Sequence, residues 1–476
     1  MKDNNFTITL DRWYQGYSPL AFQNSLTEYG GAGHASVMTN VDVINGDYLT
    51  QGPALSTLTN GATTELINYI MDKAVTSSVT YGIGATKLFK ITPTTITSDG
   101  TWPHAITNCT DGESAIDMNG TLYYFYNKSS GGDIGTYNLD ATFDDDWGSS
   151  THKALQKAPH PVATKEDVML FGNGQYLGVL AGATLNVEKL DFGDYREVAD
   201  VLFNANQWWI AVNSGVTGTN RTEGQIYLYD GGALETILND ETGVGVQRIG
   251  FLYRLNGIIY VAYQDLSSVG FIIGYVSGSQ IKPLARFTGE LPTFAQKTLY
   301  KGTILFLSSG LVYSAGAIIP ELPFQLSQFA DGGFTTCGAI AAPFGTPLIS
   351  STQTVEEVTS YKIAKFSGYD TACSWKSIVF PVSLGKMKGY IDDVVVLTKA
   401  LGANARADLT IEADQAVTTS NSMSITGTGK TRHLFSGIGL NGVEDFRVCL
   451  SWANGNATND CGIRKIVING HFEENA

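Results

Sequence analysis

The sequence predicts an all-β chain: a β-propeller of about seven blades, an extended arm before it, and a β-sandwich of jelly-roll or immunoglobulin-like type after it. Three observations lead there. A pattern of paired apolar strands returns at the period of roughly 40 to 50 residues expected of four-stranded blades. Asn-Gly dipeptides interrupt dense apolar runs where a tight hairpin needs them. Near residue 375 the pattern stops, and longer alternating strands take over.

Residues 1–60 are rich in Gly, Asn, Ser and Thr and cannot bury their own aromatic side chains. They are expected to form an extended arm that packs on its own chain or on a neighbour, with Trp13, Tyr14, Tyr17, Phe22 and Tyr29 as the assembly contacts. The stretch TTELINYIMDKA, residues 63–74, predicts a short helix with Leu66, Ile67, Ile70 and Met71 on one face.

Residues 61–372 carry the blades. Clear copies of the repeat lie at 115–139, 168–192, 201–230 and 250–287, weaker ones at 298–314 and 340–366, and an early one at 79–91. Asn119-Gly120 and Asn256-Gly257 supply the positive φ angles of type I′ hairpins, so the flanking strands must be antiparallel. A solenoid would need parallel coils and a much shorter period. From 373 to 476, turn signals at roughly 8 to 14 residue spacing predict the sandwich.

Hydrophobic residues make up 43% of the 476-residue chain and charged residues only 16%, below the roughly 25% usual for globular proteins. Burial against neighbouring subunits would account for so few charges. The net charge of −15 and the lack of a basic run exclude binding to nucleic acid through phosphate neutralisation. No window reaches the roughly 18 apolar residues of a membrane span. Five scattered cysteines without a CxxC pair indicate neither a disulfide framework nor a zinc site.

The sequence shows no nucleophile elbow, zincin motif, P-loop or dinucleotide fingerprint, and its six histidines lack metal-ligand spacing. Asp144, Asp145 and Asp146 beside Trp147 form the densest acidic cluster, but the alternating ligands and sharp Gly turn of a calcium loop are missing. Asp392 and Asp393 are strand neighbours facing opposite sides, so they cannot act as one acid/base pair. The doublets Trp208-Trp209 and Tyr123-Tyr124 sit mid-strand, where one partner is expected to pack between blades and the other to point toward a face or channel. The sequence thus assigns no catalytic, cofactor or metal residue. Asp144, Asp145, Asp146, Trp147 and Trp452 remain as candidate glycan or loop-face contacts.

Three stretches carry a family resemblance: the entry NVDVINGDYLTQGPALSTLTNG at 40–61, the string of degenerate blades without Trp-Asp or kelch signatures, and the exit Ser374 to Phe380 followed by GKMKGYIDDVVVL and ADLTIEAD. In these the chain resembles propeller-type virion structural proteins of tailed bacteriophages, including tail nozzle proteins. The resemblance implies a non-enzymatic structural part of the tail, nozzle or head-to-tail connector, localised in the virion after assembly in the host cytoplasm. It also implies a homo-oligomeric ring, other tail or connector proteins as partners, and viral DNA passing without sequence-specific binding. No cofactor is implied. Two alternatives stand beside it. One is a receptor- or carbohydrate-binding tail protein that meets a host surface glycan. The other is a propeller-fold glycoside hydrolase, which would need two carboxylates roughly 5 to 9.5 Å apart in the central depression.

Overall fold

Seven four-stranded antiparallel sheets follow one another through residues 53–369. They belong to a computed structural model that describes residues 5–11, 13, 35–44, 47–139, 142–148, 155–215, 223–238, 245–265, 270–316, 325–383, 386–415 and 417–474. Blades 1 to 6 span 67–105, 111–144, 162–191, 196–238, 246–287 and 297–331. Blade 7 takes three strands from 336–369, and its outermost strand is Pro53–Thr63, paired with Val358–Tyr369. The first strand of each blade touches that of the next except at blade 5, whose first strand meets the second strand of blade 6, and the seventh touches the first, so the sheets close into a propeller.

Packing follows from strand alternation. Successive side chains of a strand point to opposite faces, so each blade presents an apolar face to both neighbours. In the second strand of blade 2, Tyr124 and Tyr126 enter the cluster shared with blade 1, whereas Phe125 enters the one shared with blade 3. Trp208 likewise packs toward blade 3 and Trp209 toward blade 5. One apolar cluster fills each junction, including that between blades 7 and 1. Tyr124 lies over Gly135, its partner on the third strand, where an added Cβ would stand 2.1 Å from the ring. The predicted hairpins are present, with positive φ at Asn119-Gly120 and Asn256-Gly257.

The predicted helix at 63–74 is absent. Ile67–Ile70 is instead the innermost strand of blade 1, because Ile67 and Ile70 are needed in the core between blades 7 and 1. Tertiary burial overrides local propensity there. Glu65, read as part of a helix start, accepts hydrogen bonds from the Thr86 and Lys87 amides at 3.0 and 2.9 Å and so caps a blade 1 turn.

Beyond the propeller, two antiparallel sheets share one apolar core. One contains Asn5–Leu10, Ile463–Glu474, Met387–Thr398 and Arg432–Ser436; the other is built around Ala35–Thr39, Ser374–Ser377, Asp445–Ser451 and Arg406–Ala413. The segment expected as an extended arm, packed on its own chain or a neighbour, is divided among the chain's own sheets where it is described. Trp13 lies in this core, edge-on to Trp375 at 5.3 Å, and its Nε1 donates to the Arg464 carbonyl at 2.9 Å. Tyr14, Tyr17, Phe22 and Tyr29 lie outside the described residues. No helix among the described residues is long and apolar enough to cross a membrane.

Candidate functional site

The innermost strands of the blades all begin around one pocket on the propeller axis, with a volume of about 410 Å³. Its walls share a backbone device. The innermost strand carries a β-bulge in blades 1, 2, 4, 5 and 7, and the extra residues include Asn68, Glu113, Ala199, Gly250 and Gly338. All five line the pocket. Regular alternation would send these side chains into the blade junctions; a bulge leaves one residue unpaired and re-aims it. Glycine is needed at two of these positions, since a Cβ on Gly250 or Gly338 would meet a backbone oxygen at 2.1 or 2.2 Å.

Charge enters at one equivalent position. Asp111, Glu197 and Arg248 each stand two residues before the bulged residue of blades 2, 4 and 5, and with Glu113 they line the pocket. Burial pushes the Glu113 carboxyl up to about 8, reinforced by the negative charges of Asp111 and Glu197 and opposed by a hydrogen bond from Asn127. Burial also raises Glu197 above the usual carboxylate range, against the attraction of Arg248. Asp111 is raised by burial too, although Asn68 Nδ2 donates to it at 2.7 Å. The Arg248 guanidinium makes no hydrogen bond or ion pair with the described residues, and its donors are open to a ligand.

One layer deeper, side chains close the axis. Lys297 of blade 6 donates to Asp200 of blade 4 and, at 2.7 Å, to the carbonyl of Leu252 in blade 5. Asp200 also accepts the amides of Val201 at 2.9 Å and Leu252 at 2.7 Å. Asp72, beyond the blade 1 strand, accepts from Thr298 of blade 6 and from the Ala342 amide of blade 7. These bonds bridge the inner ends of blades 4, 5 and 6 and of blades 6, 7 and 1, and Tyr69, which feels the charges of both Asp72 and Asp200, packs 6.0 Å from the pocket-lining Phe294. Side chains of several blades thus meet beneath the pocket.

The residues singled out in the sequence do not meet here. Asp145 accepts hydrogen bonds from His104 at 2.9 Å, the Thr107 amide at 2.9 Å and Tyr124 at 2.5 Å. Burial works against its charge, but those bonds outweigh burial and hold the carboxyl well below its usual range. It is a structural anchor within blades 1 and 2. Asp144 accepts the Asp146 amide at 3.3 Å, Asp146 pairs with Lys128 at 3.3 Å, and Trp147 packs edge-on to Tyr123 at 5.3 Å. Trp452 is not an exposed platform. It is fully buried among the C-terminal strands, donating to the Cys461 carbonyl at 3.2 Å, because a long alternating strand delivers it to the core. No metal-holding cluster of His, Cys, Asp or Glu occurs among the described residues. The sequence reading missed Asp111, Glu113, Glu197 and Arg248, although a charged residue at one offset in DGESA, REVAD and VQRIG was a usable signal.

No family model matches the chain, and no curated protein matches it. Among solved structures, it is similar to the extracellular domain of a one-component system of B. thetaiotaomicron, at 13% identity and a TM-score of 0.46, covering 74% of this chain and 44% of that one. The chain thus spans less than half the length of that protein. It is also similar to an exo-beta-1,3-galactanase from Phanerochaete chrysosporium, at 8% identity and a TM-score of 0.29 over 66% of this chain and 96% of that one. A Trypanosoma rangeli sialidase aligns at 8% identity and a TM-score of 0.37, over 87% and 96% of the two chains. The reading of the sequence as that of a non-enzyme is corrected here: the similar structures include glycoside hydrolases and a sialidase. The sequence had pointed to no carboxylate grouping, and Asp111, Glu113 and Glu197 line the axial pocket together.

Proposed function

We propose that the axial pocket binds the end of a carbohydrate chain and hydrolyses its glycosidic bond. The observation that carries this reading is the grouping of Asp111, Glu113 and Glu197 on one axial pocket, where Glu113 is buried enough to keep its proton near neutrality. Carboxylates whose environments push their proton affinities apart are suited to separate acid and base roles. Glu113 is the proposed general acid, protonating the glycosidic oxygen as the bond to the anomeric carbon breaks. Glu197, beside the positive charge of Arg248, is the proposed partner that deprotonates the attacking water or attacks the anomeric carbon itself. Asn68 and Arg248 line the same pocket and offer polar groups to sugar hydroxyls.

The same pocket supports a second reading, carbohydrate binding without hydrolysis. In that reading, taken with the resemblance to propeller-type virion proteins, the chain is the part of a phage tail that meets a host surface glycan. Assembly as a ring belongs to that proposal.

The test is the release of reducing ends from a panel of polysaccharides and bacterial surface glycans, by the unaltered chain and by Glu113→Gln and Glu197→Gln. Hydrolysis that falls by about 10²-fold or more in either variant is the expected result. Binding that survives in all three chains without any hydrolysis favours the second reading. Neither binding nor hydrolysis overturns both.

A further inference from the structure

Beside the axial pocket lies a second cavity of about 470 Å³, and Glu197 belongs to the walls of both. The second cavity is lined by Gln156, Lys157, Gln175, Asp194 and Tyr195 along the lead-in to blade 4. We infer that the two cavities form one site with two subsites, in which the axial pocket takes the terminal sugar of a glycan and Tyr195 stacks on the sugar next to it. The inference rests on the carbohydrate reading above and deepens it by assigning the chain-end geometry and the residue that recognises the second unit.

Three observations carry it. Tyr195 is 60% exposed, and it is the only aromatic side chain among the described residues open to that degree. The other described aromatic rings are buried or half-buried, many of them in blade junctions, whereas this bare ring at a cavity edge has a flat apolar face and a polar tip with no partner inside the chain. The backbone presents it deliberately. Tyr195 has φ of +63°, a left-handed conformation costly for a bulky residue, and its carbonyl is held there by the Gly215 amide at 3.0 Å. The cavity also carries unengaged polar groups: Lys157 and Asp194 make no hydrogen bond or ion pair with the described residues. A stacking ring flanked by a free cation and a free anion suits a sugar, whose ring face is apolar and whose rim is hydroxylated. The shared wall at Glu197 fixes the direction, since a chain seated in the axial pocket that crosses it meets Tyr195.

The test titrates the full chain with methyl monoglycosides of galactose, glucose, xylose and arabinose and with the matching linear trisaccharides, using saturation-transfer NMR. The unaltered chain should bind at least one trisaccharide more tightly than its monosaccharide. Tyr195→Ala should weaken that trisaccharide about tenfold and leave the monosaccharide unchanged, while Tyr195→Phe keeps both. Thermal unfolding of each variant checks that the fold is intact. If Tyr195→Ala leaves the trisaccharide unchanged, or weakens both lengths equally, the second subsite is overturned and the axial site stands. If the unaltered chain binds neither length of any sugar, the carbohydrate reading fails, and the subsite with it.

Discussion

Asn127 donates its side-chain amide to Oε1 of Glu113 at 2.6 Å and to the Ala158 carbonyl at 3.1 Å, while its own oxygen accepts the Ala158 amide at 3.2 Å. One buried side chain thus ties the proposed acid to the seam between blades 2 and 3. Because this bond favours the charged carboxylate, Asn127→Ala should raise the Glu113 proton affinity further. The alkaline limb of a hydrolysis profile should move to higher pH, and the chain should lose about 2 kcal/mol of stability from the unmade bonds. A loss of stability with an unmoved alkaline limb would remove Glu113 from the acid role.

Glu113 should also leave a mark on stability itself. It holds its proton up to about pH 8 in the folded chain, against 4.5 for the free side chain. The folded state therefore binds more protons than the unfolded state between those values. Its contribution is full below about pH 4.5 and is lost as pH rises toward 8. Each unit is worth about 1.4 kcal/mol, so the effect is on the order of a few kcal/mol. Glu113→Gln stays neutral throughout, and its urea-unfolding stability should fall less between pH 5 and pH 9 than that of the unaltered chain. Parallel pH dependences would show that Glu113 is ionised in the pocket.

Much of the propeller was legible because its signals are local. Asn119-Gly120 and Asn256-Gly257 mark hairpins through a backbone requirement that no tertiary contact alters, and the apolar doublets mark second strands packed on both faces. The stretch 63–74 misled for the opposite reason. Its apolar spacing suits a helix face, yet the ring must close between blades 7 and 1, and only a strand there delivers both Ile67 and Ile70 to that junction. The pocket was illegible at the level of single motifs. Asp111 and Glu197 lie on different blades, and each is an ordinary strand-end carboxylate until ring closure brings them to one axis. Trp452 shows the same limit, since nothing local tells a core tryptophan from a platform.

The axial plug offers a separate test of the fold. Lys297 and Asp200 are both buried, and burial lowers the proton affinity of the first and raises that of the second. Removing one partner strands the other in a medium that solvates it poorly. Lys297→Met should destabilise the chain by about 3–5 kcal/mol. Lys297→Met with Asp200→Asn should recover much of that loss, because Asn can still accept the Leu252 amide. The measurement is a double-mutant cycle by chemical denaturation. Additive losses would show that the pair does not interact across the axis.

Ring closure by Pro53–Thr63 makes a prediction about truncation. This strand is the outermost of blade 7, so the first and last parts of the propeller are joined by hydrogen bonds along one sheet. Asn5–Leu10, by contrast, pairs with Ile463–Glu474, and Ala35–Thr39 pairs with Ser374–Ser377. Deleting residues 1–50 removes two strands and Trp13 from the C-terminal core but leaves the closing strand in place. The C-terminal sheets should then melt first, in a separate low-temperature transition, while the propeller keeps its own. Deleting residues 1–63 should lower the propeller transition as well, because blade 7 loses its edge strand and Leu58 leaves the junction with blade 1. Differential scanning calorimetry on both truncations separates the two effects. A propeller transition lowered equally by both deletions would show that closure depends on the segment before residue 51 rather than on the blade 7 strand.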